Sequence, residues 1–239
     1  MELDALPGFR RRLLVTPTLG AVRSDVEDDY HRMSVVLHHD GEVAIRLEAE
    51  MIRAPWTTCP GARAVLEETF AGVRLDGFAK RGEKFVNCTH LYDLAVLGAA
   101  HAHDIVPTIY DILVADAVEG VWNAELRHNG TAVLEWAVAD GVFTSPTRLV
   151  GIRLDGLRPW IDSLDPVTQE YARLLRWGTM LAHGRARRFA PPTDPRPLPI
   201  GQCFSFQPEN APHVVYVKGS FHDFSNDMRG PLGAGGSGT

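Results

Sequence analysis

Two cysteines and two histidines of this chain have the types and positions that acid–base or metal chemistry needs. Cys59 and Cys88 each precede a stretch with helical hydrophobic spacing. Each thiol is therefore predicted at a helix N-terminus, where free backbone N–H groups and the helix dipole lower the pKa of a thiol. His90 follows Cys88 by two positions, and His31 precedes the first clear strand. A thiolate attacks electrophiles or binds metal, and an imidazole serves as acid, base or ligand.

Each candidate also has a purely structural interpretation. A free cysteine is often a small buried hydrophobe, and a histidine at a strand start is usually a surface or hydrogen-bonding residue. The adjacent pair His38-His39 resembles a metal cluster, but neighbouring strand residues point to opposite faces. We therefore predict a solvated hairpin tip there, and we keep both interpretations open for the cysteines and for His31.

Composition bounds the function more than it defines it. The chain has 239 residues, a net charge of −6 and a pI near 5.9, so no basic surface indicates nucleic acid or an anionic membrane as a partner. Three cysteines at scattered spacing argue against a disulfide framework, and the N-terminus lacks the order of a secretory signal. We expect a cytoplasmic protein. The sequence contains no GxGxxG, P-loop, GxSxG or HExxH motif. A nucleotide-binding protein, a serine hydrolase and a zincin metalloprotease are therefore disfavoured.

The N-terminal part of the chain predicts a β-hairpin. Met33–His39 and Glu42–Ile52 are predicted as strands joined by a tight turn at Asp40-Gly41, because apolar and polar residues alternate in the second strand. Residues 1–28 show no clear period, and Leu13–Val15 is predicted as a short edge strand at most.

The remainder predicts helices, a meander and a tail. Helices are expected after Pro60, after Cys88, and from Asp165-Pro166 to Gly184. The predicted strands, with Asn129-Gly130 and Asp140-Gly141 as hairpin turns, are Ile109–Val114, Val121–His128, Thr131–Ala139 and Val142–Thr144. A last strand pair is predicted at Cys203–Phe206 and Val214–Val217.

These elements predict an α+β fold, an antiparallel sheet with helices packed on it. We divide the chain into a module over 20–105 with the cysteine-bearing helices, a meander plus long helix over 107–189, an extended tail over 190–225 that packs back, and a disordered Gly-rich end over 226–239.

The first half of the sequence resembles a bacterial family known only as domain of unknown function 2889. The resemblance covers about residues 20–105. The residues that carry it are His31-Arg32-Met33, Leu47–Met51, Pro55 with Cys59, Gly72–Gly77 and Cys88-Thr89-His90-Leu91. The family's His, Cys and Cys positions fall on His31, Cys59 and Cys88. Asn87 stands where the family usually has glycine.

A remoter resemblance concerns the U-type iron–sulfur cluster scaffolds. A strand pair with an Asp-Gly turn, followed by cysteines at two helix starts, is similar to that fold. It implies a ligand set of Asp29, His31, Cys59 and Cys88. The first cysteine of the scaffolds is absent here, and a mixed set of this kind suits one zinc or iron ion better than a cluster.

The family resemblance implies an enzyme that acts on a small organic, lignin-derived aromatic substrate. We expect lyase-type chemistry with His31 as general acid or base and with Cys59, Cys88 and His90 lining the pocket. The alternative is a metal-binding or iron–sulfur carrier protein without turnover. A third possibility is a structural domain whose cysteines are core. A homodimer is one possible assembly.

Overall fold

Eight strands form an antiparallel sheet in a computed structural model that describes residues 3–186, 199–227 and 229–233. The strands are β1 (Gly8–Thr18), β2 (Ala21–Asp28), β3 (Arg32–His39), β4 (Ala44–Arg53), β5 (Thr108–Ala115), β6 (Val121–His128), β7 (Thr131–Ala139) and β8 (Val142–Ser145). Their order in the sheet is β4-β3-β2-β1-β5-β6-β7-β8. The predicted α+β class is confirmed.

Within the described residues, four α-helices accompany the sheet: α1 (Ala62–Phe70), α2 (Thr89–Ala100), α3 (Arg158–Asp162) and α4 (Pro166–Ala186). Helix α2 packs on β2 and β3, and α1 packs on β4. Helix α4 packs on β6 and β7. Among the described helices, none is both long enough and apolar enough to cross a bilayer.

Contacts divide the described residues into two compact units. One holds residues 13–108 and 199–222, and the other holds residues 3–12, 109–186, 223–227 and 229–233. The candidate site and all three cysteines lie in the first, which we call the site unit. Its core is built from alternate strand residues, such as Val22 and Val26 of β2, against Leu91 and Leu94 of α2, all fully buried.

Strands β1 and β2 correct the expectation for the first 28 residues. Both are regular strands, and β1 occupies an interior position in the sheet order and not an edge. Arg10 and Arg11 are buried, which hid the apolar pattern. The guanidinium of Arg10 donates to the carbonyl oxygens of Leu3 and Leu6, and the guanidinium of Arg11 lies 3.9 Å from the ring centre of Trp177.

The β3–β4 hairpin is confirmed, with one local difference. The ladder shifts register between His38 and His39, so Ala44 and Leu47 both point inward and Ile45 is 62% exposed. A bulge of this kind interrupts strict alternation. As predicted, His38 and His39 point to different surroundings: His38 contacts Glu48, while His39 is buried. The prediction that both histidines lie in a solvated hairpin tip is therefore wrong for His39.

The meander of β6, β7 and β8 follows its turn residues. Asn129 and Gly130 have φ of 49° and 81°, and Asp140 and Gly141 have φ of 50° and 76°. Two successive positive φ values are the hairpin geometry that Asn-Gly and Asp-Gly favour, so both predicted turns are confirmed. The predicted cap is confirmed as well, because the Asp165 carboxylate accepts backbone N–H groups at the start of α4.

The tail differs from the predicted strand pair. Phe204–Phe206 is a 3₁₀ turn, and the segment around Val215 lies beside residues 55–57, with Thr57 N–H donating to the Val215 carbonyl. Of the extended connector predicted from residue 190, positions 190–198 lie outside the described residues. So do positions 228 and 234–239 of the segment predicted to be disordered.

Candidate functional site

A tight turn between β2 and β3 places the first part of the site. Asp28 ends β2, and its Oδ1 accepts the backbone N–H groups of Tyr30 at 2.7 Å and His31 at 2.8 Å. Aspartate commonly closes turns in this way, because its short side chain reaches the N–H groups two and three residues later. The turn brings the His31 ring back onto the same carboxylate.

His31 and Asp28 form a buried dyad. The Nδ1 atom of His31 lies 3.0 Å from Oδ1 and 3.3 Å from Oδ2 of Asp28, whose side chain is fully buried. A carboxylate at Nδ1 places the hydrogen there, which leaves Nε2 of a neutral ring as a base or a metal ligand. Three donors surround the Asp28 carboxylate, and they offset part of the cost of burying its charge.

His90 stands directly beside this dyad. It is in the first turn of α2, after Cys88, and its ring centre lies 3.8 Å from that of His31 at an interplanar angle of 30°. His31 is 6% exposed and His90 9%. The two imidazole rings are therefore in direct contact at a place that is largely shielded from water.

An arginine from β4 fixes the turn. The Arg53 guanidinium donates, over 2.6 to 3.3 Å, to the backbone carbonyls of Asp28, Asp29, His31 and Ser220 and to the carboxylate of Glu27. Because carbonyl oxygens from both the turn and the tail accept hydrogen bonds from one planar cation, Arg53 fixes the backbone around the dyad.

The tail covers the turn from another side. The His222 N–H donates to the Asp29 carbonyl oxygen at 2.8 Å, and the Phe221 ring packs edge-on against Tyr30 with ring centres 5.3 Å apart. The tail therefore contributes to the surroundings of the site although it is remote in sequence.

The cysteines lie at helix starts but are not activated thiols. Cys88 is the N-cap of α2, and Cys59 begins a 3₁₀ turn that leads into α1. The pKa of Cys88 is raised to about 12, chiefly by burial and in smaller part by the neighbouring Cys59 thiol, although the N–H groups of Leu91 and His90 lower it. Burial likewise raises the pKa of Cys59. The expected lowering by the helix N-terminus is thus wrong for both, because desolvation of a thiolate outweighs the dipole.

Of the residues predicted for the site, the structure brings only His31 and His90 together, with Asp28 as an additional member. Among the described residues, the ligand atoms of Asp28, His31 and His90 lie within 4.8 Å of one another, and those of Cys59, Cys88 and Asp29 are not in that group. Asp29 is fully buried, and its carbonyl oxygen accepts hydrogen bonds from the Arg53 guanidinium and from the His222 N–H group.

Asp28 is the residue that the sequence reasoning missed. The signal was available, since an aspartate three positions before a histidine, at the end of a strand, is the pattern of an Asp-closed turn. Asn87, where the family resemblance implies glycine, is fully buried, and its amide donates to the Thr69 hydroxyl at 2.9 Å and the Glu83 carbonyl at 3.0 Å.

Comparison with known proteins agrees with the resemblance noted in the sequence. No curated protein matches the chain. The likeness to iron–sulfur scaffolds stays an expectation. Residues 16–103, which carry Asp28, His31 and His90, match the model of the family described as "Protein of unknown function (DUF2889)".

Proposed function

We propose that the protein is an enzyme in which His31 acts as general acid and base on a small organic substrate. The observation that supports this most directly is the 3.0 Å contact between Nδ1 of His31 and the buried Asp28 carboxylate. Such a contact fixes the tautomer and compensates the charge when Nε2 takes up a proton. His90 beside the ring offers a second position for that proton.

The substrate and reaction class come from the family resemblance. They are a lignin-derived aromatic compound and a lyase-type elimination. In that reaction Nε2 of His31 removes a proton from carbon, the electron pair of that C–H bond forms the new double bond, and the leaving group departs and receives the proton. Cys59 and Cys88 have no nucleophilic role in this scheme, because their raised pKa keeps them protonated.

Incubation of the full-length protein with a panel of lignin-derived aromatic compounds, analysed by mass spectrometry, tests the proposal. His31→Gln is expected to lower turnover by about 10² to 10⁴-fold, the usual contribution of a positioned acid or base. His38→Gln is the matched control, because His38 is a partly exposed histidine that contacts Glu48 at the far end of β3. Equal turnover by wild type and His31→Gln would refute the assignment.

Asp28, His31 and His90 also support a second function, the binding of one metal ion. Their ligand atoms lie within 4.8 Å of one another, and two imidazoles with one carboxylate suit zinc or iron. Metal analysis of the purified protein distinguishes the two. Near-stoichiometric metal in wild type and in His38→Gln, but lost in Asp28→Asn, favours the metal function. Asparagine keeps an acceptor for the turn while it removes the charge.

A further inference from the structure

The proposed acid–base centre is closed to solvent in the structure. The side chains of His31 and His90 are both more than nine-tenths buried, and Asp28 is fully buried. A small organic molecule needs an opening of its own width to reach Nε2 of His31, and side chains with so little exposed surface offer none. If His31 acts on such a substrate, a segment that covers it must move during each turnover.

Three residues of the tail, 220–222, cover the turn that carries His31, and we call them the lid. The Ser220 carbonyl oxygen accepts a hydrogen bond from the Arg53 guanidinium at 3.0 Å. At the other end of the lid, the His222 N–H donates to the Asp29 carbonyl oxygen at 2.8 Å. The lid is therefore bonded to the backbone of the turn and to the arginine that fixes that turn, although it is remote from both in sequence.

A row of aromatic rings leads from the lid to His31. The Phe221 ring in the middle of the lid lies edge-on against Tyr30, with ring centres 5.3 Å apart, and the Tyr30 ring lies edge-on against His31 at 6.1 Å. Phe221 and Tyr30 are half-buried, whereas His31 is buried. The row thus runs from the partly exposed lid to the buried base. When Phe221 moves away, Tyr30 loses a neighbour that helps to hold its ring beside His31.

The residues directly before the lid form a hinge. The Ser220 N–H donates to the Val217 carbonyl oxygen at 3.1 Å, and Gly219 has φ of 82°, which are features of a type II β-turn with glycine at its third position. Such a turn holds its first and fourth Cα atoms within about 7 Å, whereas the same residues span about 10 Å when extended. Release of the turn therefore gives the lid about 3 Å of slack.

The chain is anchored on both sides of the hinge and lid. The Val217 N–H donates to the Pro55 carbonyl oxygen at 2.8 Å, and Asp223, the residue after the lid, pairs with Arg185 at 3.3 Å. The ends of this short segment can therefore stay in place while residues 218–222 bulge outward. The motion is local and does not require the whole tail to detach.

We propose that residues 220–222 are a lid that swings outward on the turn at Gly219 to admit substrate to His31 and then closes over it. This inference rests on the proposed function, because a histidine that meets no substrate needs no access. In the closed state the lid helps to exclude water from the Asp28–His31 dyad, so that the proton on Nε2 passes to the leaving group and is not lost to solvent.

Labelling of the full-length protein with diethyl pyrocarbonate at pH 7, quantified for each histidine by peptide mass spectrometry, tests the lid without a substrate. In wild type, His31 should react at least about tenfold more slowly than the partly exposed His38. Gly219→Ala should accelerate labelling of His31 by about five- to thirtyfold, the factor that corresponds to the cost of a left-handed backbone at a residue with a side chain. Gly120→Ala is the matched control, because Gly120 has φ of 80° in an exposed turn of the other unit and an added Cβ would meet nothing within 4 Å at either glycine.

Phe221→Ala gives a second variant that leaves the hinge intact and loosens the lid itself. Without the ring that packs on the turn, labelling of His31 should again accelerate. Amide hydrogen exchange should show that the His222 N–H, which is bonded to the turn in the closed state, exchanges faster in the same variant.

The lid is overturned if wild-type His31 reacts as fast as His38, if either lid variant leaves the labelling of His31 unchanged, or if Gly120→Ala accelerates it equally. None of these measurements involves turnover. Failure of the lid is therefore distinguishable from failure of the proposed enzymatic function, which is tested by turnover in His31→Gln.

Discussion

At the scale of single residues, burial decides the chemistry of the thiols and of the dyad in opposite ways. A helix N-terminus favours an anion by about 0.3–1 kcal/mol, whereas full desolvation shifts a pKa by up to about 3–5 units. Both effects act on the Cys88 thiol, and desolvation is the larger of the two. Asp28 is equally buried, but three donors reach its carboxylate, so its charge is compensated.

The raised pKa of Cys88 gives a direct prediction for metal-free, reduced protein. With a pKa of about 12 the thiolate fraction at pH 8 is about 10³-fold or more below that of a free cysteine, whose pKa is about 8.5. Alkylation of Cys88 should therefore be slower than that of glutathione by at least this order, and it should accelerate about tenfold per pH unit. Peptide mass spectrometry measures the rate. Labelling of Cys88 as fast as glutathione at pH 8 would contradict the assignment.

At the scale of elements, a glycine sets how closely α2 approaches β2 and thus where His90 stands. A Cβ added at Gly98 would lie 2.9 Å from the Ser24 hydroxyl oxygen, and its next neighbour, Cγ1 of Val22, would be at 3.8 Å. The Ser24 hydroxyl is buried and has no hydrogen-bond partner among the described residues. The Ser24 hydroxyl oxygen is therefore the one atom with which an added Cβ at position 98 would clash.

Gly98→Ala should destabilise the protein although alanine is the better helix former. We expect a loss of about 1–3 kcal/mol in the free energy of unfolding, the usual cost of overpacking, offset in part by helix propensity. In a Ser24→Ala background the same change should be neutral or stabilising, since the close oxygen is gone. Denaturant unfolding of the two single variants and the double variant measures this coupling. Strictly additive effects would contradict the packing argument.

At the scale of the whole molecule, an arginine of the second unit joins three segments of chain. Arg185, near the end of α4, is 3% exposed and pairs with Asp116 at 2.9 Å and with Asp223 at 3.3 Å. Burial alone would raise the pKa of Asp223, but hydrogen bonds from Ser225 and Arg185 lower it to about 2. The tail thus returns to this unit through an ion pair that depends on an ionised carboxylate.

This pair predicts a stability change at acid pH. Because the pKa of Asp223 is lower in the folded chain than the unfolded value of about 3.9, its contribution is complete above pH 4 and is lost as the pH falls towards 2. Asp223→Asn should lower the free energy of unfolding at pH 7, and the difference from wild type should shrink between pH 4 and pH 2.

Asp155→Asn is the control for this experiment, because the pair of Asp155 with Arg153 is exposed and should contribute little. Urea unfolding at several pH values gives the comparison. A difference between wild type and Asp223→Asn that stays constant from pH 7 to pH 2 would refute the role of the ion pair.

Local signals in the sequence determined much of the fold. The dipeptides Asn129-Gly130 and Asp140-Gly141 fix two turns because their backbone favours positive φ, and Asp165 caps α4 because its carboxylate reaches free N–H groups. The N-cap position of Cys88 is local in the same sense. These features depend on neighbours within a few residues, so the sequence alone sufficed to predict them.

Only part of the candidate site could be predicted from neighbouring residues in the sequence. His31 and His90 could be named from their positions, but their stacking and the partnership with Asp28 depend on the packing of α2 against β2 and β3. The burial that keeps Cys88 protonated, and the approach of the tail to the turn between β2 and β3, are equally tertiary. Residue types and turns are encoded in neighbouring residues, whereas desolvation and convergence depend on which distant segments exclude water from one place, and only the folded chain decides that.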